Sequence, residues 1–202
     1  MTRIIVLASG RGSNFQALVD ASARGEIPGK LVALVTDNPD AYAIGRADSA
    51  GIPHAVVDFR SFPSREVYER ALLSVMDGYS PDLVVLAGYM RILGDGIVQK
   101  YLGRMINIHP ALLPSFTGLH AQRQALAHGV KVAGCTVHFV DGTLDCGPII
   151  VQRCVPVLED DDEDTLAERI LAEEHKALPE AVRLFCDGRL TISGRRVIIA
   201  GP

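Results

Sequence analysis

Positive charge is not in excess in this chain: 20 Lys and Arg against 24 Asp and Glu leave a net charge of −4 and a pI near 5.8. That argues against bulk binding of nucleic acid or an anionic membrane, and leaves room for a local anion site. No apolar run approaches the length of a membrane span. The opening MTRIIVLASG is too short, and too soon interrupted by Arg11, for a secretory signal, so a cytoplasmic location is expected. Cys135, Cys146, Cys154 and Cys186 form no C-x-x-C pair and have no His at zinc-ligand spacing beside them. They read as reduced thiols, and no metal site is expected. Internal repeats, low-complexity segments and linkers are also missing. What remains is a 202-residue chain, 48% hydrophobic, enough for one domain with a sizeable core.

The most informative stretch is MINIHPALLP, residues 105–114. It reads as an apolar strand ending in two polar side chains and stopped by proline. Residues two apart on a strand face the same way, so Asn107 and His109 project side by side from its carboxyl end. Pro110 cannot donate to a ladder and holds His109 extended. A carboxamide and an imidazole so placed can both donate to one oxygen that is gaining negative charge, as acyl-type transfer requires. The alternative is a turn-closing Asn107 and a satisfied surface His109.

The amino-terminal RIIVLASGRGSNFQALVDA is a strand, a glycine-rich turn and a helix. Gly10 and Gly12 allow close approach of a ligand to the backbone. Ser13 or Asn14 can cap the helix, whose first N–H groups make an anion site. A monophosphate ranks above a dinucleotide here, because Phe15 replaces the third glycine of that fingerprint even though Asp37 stands where a ribose-binding acid is expected. An ordinary tight turn is the remaining reading.

Strand and helix then alternate. A helix is expected across Asp40 to Gly51, an edge strand in IPHAVVD, and a helix with Val67, Ala71, Leu72 and Val75 on its inner face, ended by Gly78 and Pro81. Arg65 falls in the first turn of that helix, poorly placed against the dipole, and either meets an anionic ligand or points into water. PDLVVLAG is the most apolar strand and should lie centrally. The following YMRIL is apolar for a loop, so it either packs under a helix or lines a pocket for a flat aromatic ligand. Later come a short helix in GLHAQRQALAHG and a strand around Val137 and Phe139. The TLDCG loop carries Asp145 over the sheet rim, and a strand antiparallel to the preceding one follows it. A long helix with an acidic start and a hairpin turning at Gly194 close the chain.

Four segments, ASGRGSN at 8–14, LAGYMRIL at 86–93, NIHPALLPSFTGLHAQRQAL at 107–126 and VHFVDGTLDCGPII at 137–150, together resemble the phosphoribosylglycinamide formyltransferases of purine synthesis. The likeness spans essentially the whole chain, with the motifs in order and at matching spacings. It implies a single-domain α/β fold: an open, mainly parallel Rossmann-like sheet, helices on both faces and an antiparallel C-terminal portion. A phosphate-binding part is expected at about 1–100, and a folate-binding and catalytic part at about 86–202. The implied reaction moves the formyl group of 10-formyltetrahydrofolate to the amine of glycinamide ribonucleotide, with Asn107, His109 and Asp145 catalytic.

By the same resemblance, Gly12, Ser13, Asn14 and Glu174 bind the ribonucleotide. Arg65, Met90, Arg91, Ile92, Leu93, Asn107, Asp141, Gly142, Thr143, Leu144 and Asp145 surround the folate. The expected assembly is a monomer or homodimer with no nucleic-acid or membrane partner. Leu171 departs from the pattern, since relatives commonly place Lys or Gln there to help hold the phosphate. Thr117, where proline is frequent, reads as a neutral loop change. The length, with the core starting at residue 3 and little after the last helix, favours this acceptor over methionyl-tRNA formyltransferases, which carry an added tRNA domain. A 10-formyltetrahydrofolate hydrolase needs the same three catalytic residues and is the main alternative. An NAD oxidoreductase lacks support without the third glycine, and a non-catalytic folate or nucleotide sensor would not need the trio.

Overall fold

A computed structural model describes residues 1–201. Two compact units divide the chain, Met1–Ile106 and Asn107–Pro202. The first alternates β1 (Thr2–Leu7), α1 (Ser13–Ala23), β2 (Gly29–Thr36), α2 (Tyr42–Ser49), β3 (His54–Val56), α3 (Arg65–Gly78), β4 (Leu83–Leu86) and α4 (Asp95–Lys100), and takes in the start of β5 (Met105–His109). β1 pairs in parallel with β2 and with β4, and β2 with β3, giving the order β3-β2-β1-β4. Parallel strands joined by helices are covered on both faces, so they can be apolar at every position. Ile4 to Leu7 and Leu83 to Val85 are accordingly all fully buried.

The strand order reverses between β1 and β4, so the loops after these two strands open side by side at the carboxyl rim, the usual ligand position in such sheets. They are tied together: the Ser9 N–H donates to the Gly88 carbonyl (3.1 Å) and the Met90 N–H to Ser9 Oγ (2.9 Å).

Three local features differ from the sequence expectation. The N-cap of α1 is Gly12, in the left-handed region, and neither Ser13 nor Asn14 caps it with a side chain. The inner face of α3 is Tyr68, Leu72 and Met76, turned by one residue from Val67, Ala71 and Val75, because Tyr68 fills the interior between Phe59 and Phe62. The short α4 was not foreseen, since Gly94 and Gly96 mask its start.

The second unit holds the end of β5, then α5 (Ala121–Ala127), β6 (Val132–Phe139), β7 (Ile149–Pro156), α6 (Glu163–Cys186), β8 (Leu190–Ser193) and β9 (Arg196–Ile199), in the order β5-β6-β7-β9-β8. β6 and β7 are antiparallel, as are β8 and β9, which matches the expected antiparallel C-terminal portion. α6 lies against β6 and β7. Its acidic start is a full capping box: the Thr165 N–H donates to Asp162 Oδ1 (2.8 Å) and the Asp162 N–H to Thr165 Oγ1 (2.9 Å), with Glu163 and Asp164 favourably placed in the first turn. Among the described residues, no helix is long and apolar enough to cross a membrane.

Candidate active site

β5 ends at His109, before Pro110, and its last residues meet Asp145 from the loop between β6 and β7. Asp145 enters in the left-handed region, with φ of 52°. Its Oδ2 lies 3.5 Å from His109 Nδ1, and its Oδ1 lies 3.9 Å from Nε2 of His138, on β6. Asn107 Nδ2 is 3.2 Å from the same His138 Nε2. His109, His138 and Asp145 are all at least nine-tenths buried, so each polar atom must find a partner inside the protein.

The partners assign the protons. His138 Nδ1 donates to the Phe139 carbonyl (2.9 Å), which leaves Nε2 as the acceptor of the Asn107 amide. Burial holds the His138 pKa below the ordinary histidine value, and the ring is neutral. Asp145 Oδ2 also accepts the Gly118 N–H (2.8 Å), while His109 Nε2 donates to the Phe116 carbonyl (2.8 Å). An imidazolium at His109 thus has an acceptor at each nitrogen. This differs from the picture of a His109 N–H aimed directly at a reacting oxygen, since reaching one requires exchange of the Phe116 carbonyl.

In the first unit, the loop from β1 to α1 is built around Gly12, whose φ is 68° and where a Cβ would come within 2.7 Å of the Ala43 Cβ. Only glycine suits both conditions. Four consecutive carbonyls of this loop are occupied. Ser9 O accepts from Asn38 Nδ2 (3.2 Å), Gly10 O from the Ala43 N–H (3.1 Å), Arg11 O from Arg46 Nε (2.8 Å) and Gly12 O from the Gln16 N–H (2.9 Å). With those carbonyls held, the start of α1 has the general character of an anion site, since the first N–H groups of any helix lack an i−4 carbonyl.

A model of the formyl transferase family matches residues 2–182. The phosphoribosylglycinamide formyltransferase of Escherichia coli strain K12 is 46% identical over 187 residues, which is 93% of this chain and 88% of that protein. The chain belongs to the formyl transferase family. The trifunctional purine biosynthetic protein adenosine-3 of Drosophila melanogaster is 48% identical over 194 residues, 95% of this chain, and the chain spans 14% of that protein's length. Among solved structures, glycinamide ribonucleotide transformylase 1 from Symbiobacterium toebii matches with a TM-score of 0.97 and 52% identity, over 100% of this chain and 95% of that one.

The other residues expected from this family's motifs fall as follows. The loop after β4 is pinned at Met90 N–H as above, and by Arg65 Nη2 donating to the Ile92 carbonyl (3.0 Å). Arg91 Nε pairs with Asp37 Oδ2 (2.8 Å), its guanidinium 3.7 Å from the Phe59 ring centroid, and the Tyr89 and Tyr68 hydroxyls meet. Leu93 is buried, but Met90 and Ile92 are 68% and 66% exposed. Part of the apolar loop therefore packs inward, while two of its side chains stay exposed. Arg65 also pairs with Glu69 (2.7 Å), so the cation poorly placed against the dipole is answered one turn along.

In the second unit, Asp141 Oδ1 accepts the Thr143 N–H (2.8 Å), Gly142 and Leu144 face solvent, and Glu174 is buried on α6. Gly12, Ser13 and Asn14 lie in the first unit, and Glu174 in the second. The half-buried Leu171 supplies no hydrogen-bond donor.

Sequence reasoning missed His138, which hides in an apolar strand, and a buried clip below β5. Thr136 Oγ1 donates to the Ala111 carbonyl (2.7 Å) and accepts the Leu113 N–H (3.0 Å) and Gln152 Nε2 (3.0 Å). A threonine and a glutamine paired across antiparallel strands (Thr136 opposite Gln152) were the only hint.

Proposed function

We infer that the chain transfers the formyl group of 10-formyltetrahydrofolate to the amine of 5-phosphoribosylglycinamide, a step of de novo purine synthesis, and that Asn107, His109 and Asp145 carry the chemistry. The observation that supports the roles is the convergence of Asn107 with the buried His109 and Asp145, with His138 fixing the carboxamide.

Asn107 keeps one amide hydrogen after serving His138, and that hydrogen donates to the formyl oxygen as it gains charge. Losing one such donor typically raises the barrier by roughly 3 to 4 kcal/mol. His109, held between the Phe116 carbonyl and Asp145, brings positive charge to that oxygen. Asp145 accepts the proton shed by the attacking amine and returns it to the departing folate nitrogen, so the proton count balances.

By the resemblance, Gly12, Ser13 and Asn14 serve the substrate phosphate and Glu174 its ribose hydroxyls, while Arg65, Met90, Arg91, Ile92, Leu93, Asn107, Asp141, Gly142, Thr143, Leu144 and Asp145 serve the folate. Phosphate binding then belongs to about residues 1–100, and folate binding and catalysis to about 86–202, within one formyltransferase domain working in the cytoplasm as a monomer or homodimer.

The test follows the ultraviolet change as a 10-formylfolate donor loses its formyl group, with and without the ribonucleotide. Loss only with the ribonucleotide is expected. Equal loss without it would identify a hydrolase, for which the same trio serves water in place of the amine, and no loss in either case would overturn the reading.

A further inference from the structure

The amides of a phosphate loop attract an anion only while the carbonyls between them face elsewhere, because a carbonyl dipole beside a phosphate oxygen repels it. Here the carbonyls of residues 9 to 12 are each held by a donor, and three of the four donors are backbone N–H groups or a neutral amide. The exception is Arg11. Its carbonyl lies next to the critical Gly12 and is held by Arg46 Nε at 2.8 Å, while Nη1 of the same guanidinium binds Gln16 Oε1 at 3.2 Å. Arg46 stands in the last turn of α2, and α2 also supplies Ala43, whose N–H holds Gly10 O and whose Cβ excludes any side chain at position 12. One planar cation therefore joins the loop to the first turns of α1, at a spacing a lysine point charge cannot reproduce.

We propose that Arg46 is the positioning residue of the phosphate loop, acting through the Arg11 carbonyl to aim the amides of residues 12 to 14. The proposal rests on the reading that the substrate phosphate sits at that loop.

The experiment measures KM for both substrates, kcat and competitive inhibition by inorganic phosphate in Arg46→Met, Arg46→Lys and Gly12→Ala. The expected result for Arg46→Met is a KM for glycinamide ribonucleotide raised at least tenfold and phosphate inhibition weakened in parallel. The KM for the formyl donor and kcat stay within twofold. Arg46→Lys should fall between this variant and the wild type, because an ammonium keeps one of the two bonds. Wild-type ribonucleotide KM in both Arg46 variants, with a raised value in Gly12→Ala, overturns the role of Arg46 and leaves the phosphate reading standing. An unchanged value in Gly12→Ala as well removes the phosphate from this loop and the proposal with it. A fall in kcat with both KM values disturbed and a lowered Tm makes Arg46 merely structural. If Arg46→Met does not fold, Arg46→Lys decides on the same criteria.

Discussion

Asn107 and His138 form a fixed donor and acceptor pair: the carboxamide nitrogen lies 3.2 Å from an imidazole nitrogen whose tautomer is set by the bond from its other nitrogen to the Phe139 carbonyl. The orientation of Asn107 is decided by a residue on the neighbouring strand. His138→Phe keeps the apolar volume and removes the acceptor, leaving the carboxamide free to turn. The expected outcome is a kcat lowered by about 10- to 100-fold, the range that a small misplacement of a catalytic group costs, with both KM values within about threefold. Steady-state kinetics on the variant checks this, and a wild-type kcat would show that Asn107 needs no such guide.

The same histidine makes acid destabilising. Burial lowers the His138 pKa in the fold below the ordinary value of 6.5. Below that value the unfolded chain binds a proton that the folded one refuses, so stability is full above it and falls as pH drops towards the lower folded pKa. The expected signature is in the difference: as pH falls below about 6.5, Tm of the wild type should drop more steeply than Tm of His138→Phe. Parallel melting curves would remove His138 from the acid response.

Two glycines of one loop should respond in opposite ways. Gly12 has φ of 68° and a Cβ there would come within 2.7 Å of the Ala43 Cβ, whereas a Cβ at Gly10 meets nothing within 4 Å. Gly12→Ala is expected to cost about 1 to 3 kcal/mol from backbone strain and the clash. Gly10→Ala should be neutral or stabilising by up to about 1 kcal/mol, because it restricts only the unfolded chain. Urea unfolding of both variants measures the contrast, and equal effects would contradict the loop geometry.

The order of strands and helices was legible because buried parallel strands are apolar at every position, as in β4, and the helices between them are periodic. Asn107 and His109 were legible for a local reason, since a proline after two alternating polar residues marks a strand end. His138 was not, because one polar residue in the buried strand β6 has no local signature and its role exists only once β5 and β6 lie side by side. The cap of α1 and the inner face of α3 went astray for related reasons. A left-handed glycine can begin a helix without a side-chain cap, and Tyr68 is drawn inward by two phenylalanines that sequence spacing does not connect to it. Arg65 shows the same limit: its answering charge is Glu69, one helical turn on, and a rule for the first turn alone does not include it.

Asp145 allows charge to be separated from structure. Its backbone lies in the left-handed region, with φ of 52°, which asparagine accepts more readily than most residues. An amide at this position can still accept the Gly118 N–H through its oxygen, so Asp145→Asn keeps the loop bond now made at 2.8 Å. What disappears is the negative charge facing His109 and the ability to take up a proton. Tm should therefore shift by only a few degrees and KM for the formyl donor should stay within about threefold. Turnover should fall by about 100- to 1000-fold, which corresponds to roughly 3 to 4 kcal/mol of barrier. Asp145→Ala should lose turnover to at least the same extent and stability as well, since it leaves the Gly118 N–H without its partner and puts alanine in a left-handed conformation. Thermal melts and single-turnover formyl transfer on the two variants separate these contributions. An Asp145→Asn enzyme that turns over at the wild-type rate would restrict Asp145 to holding the loop and leave the proton transfer to another group.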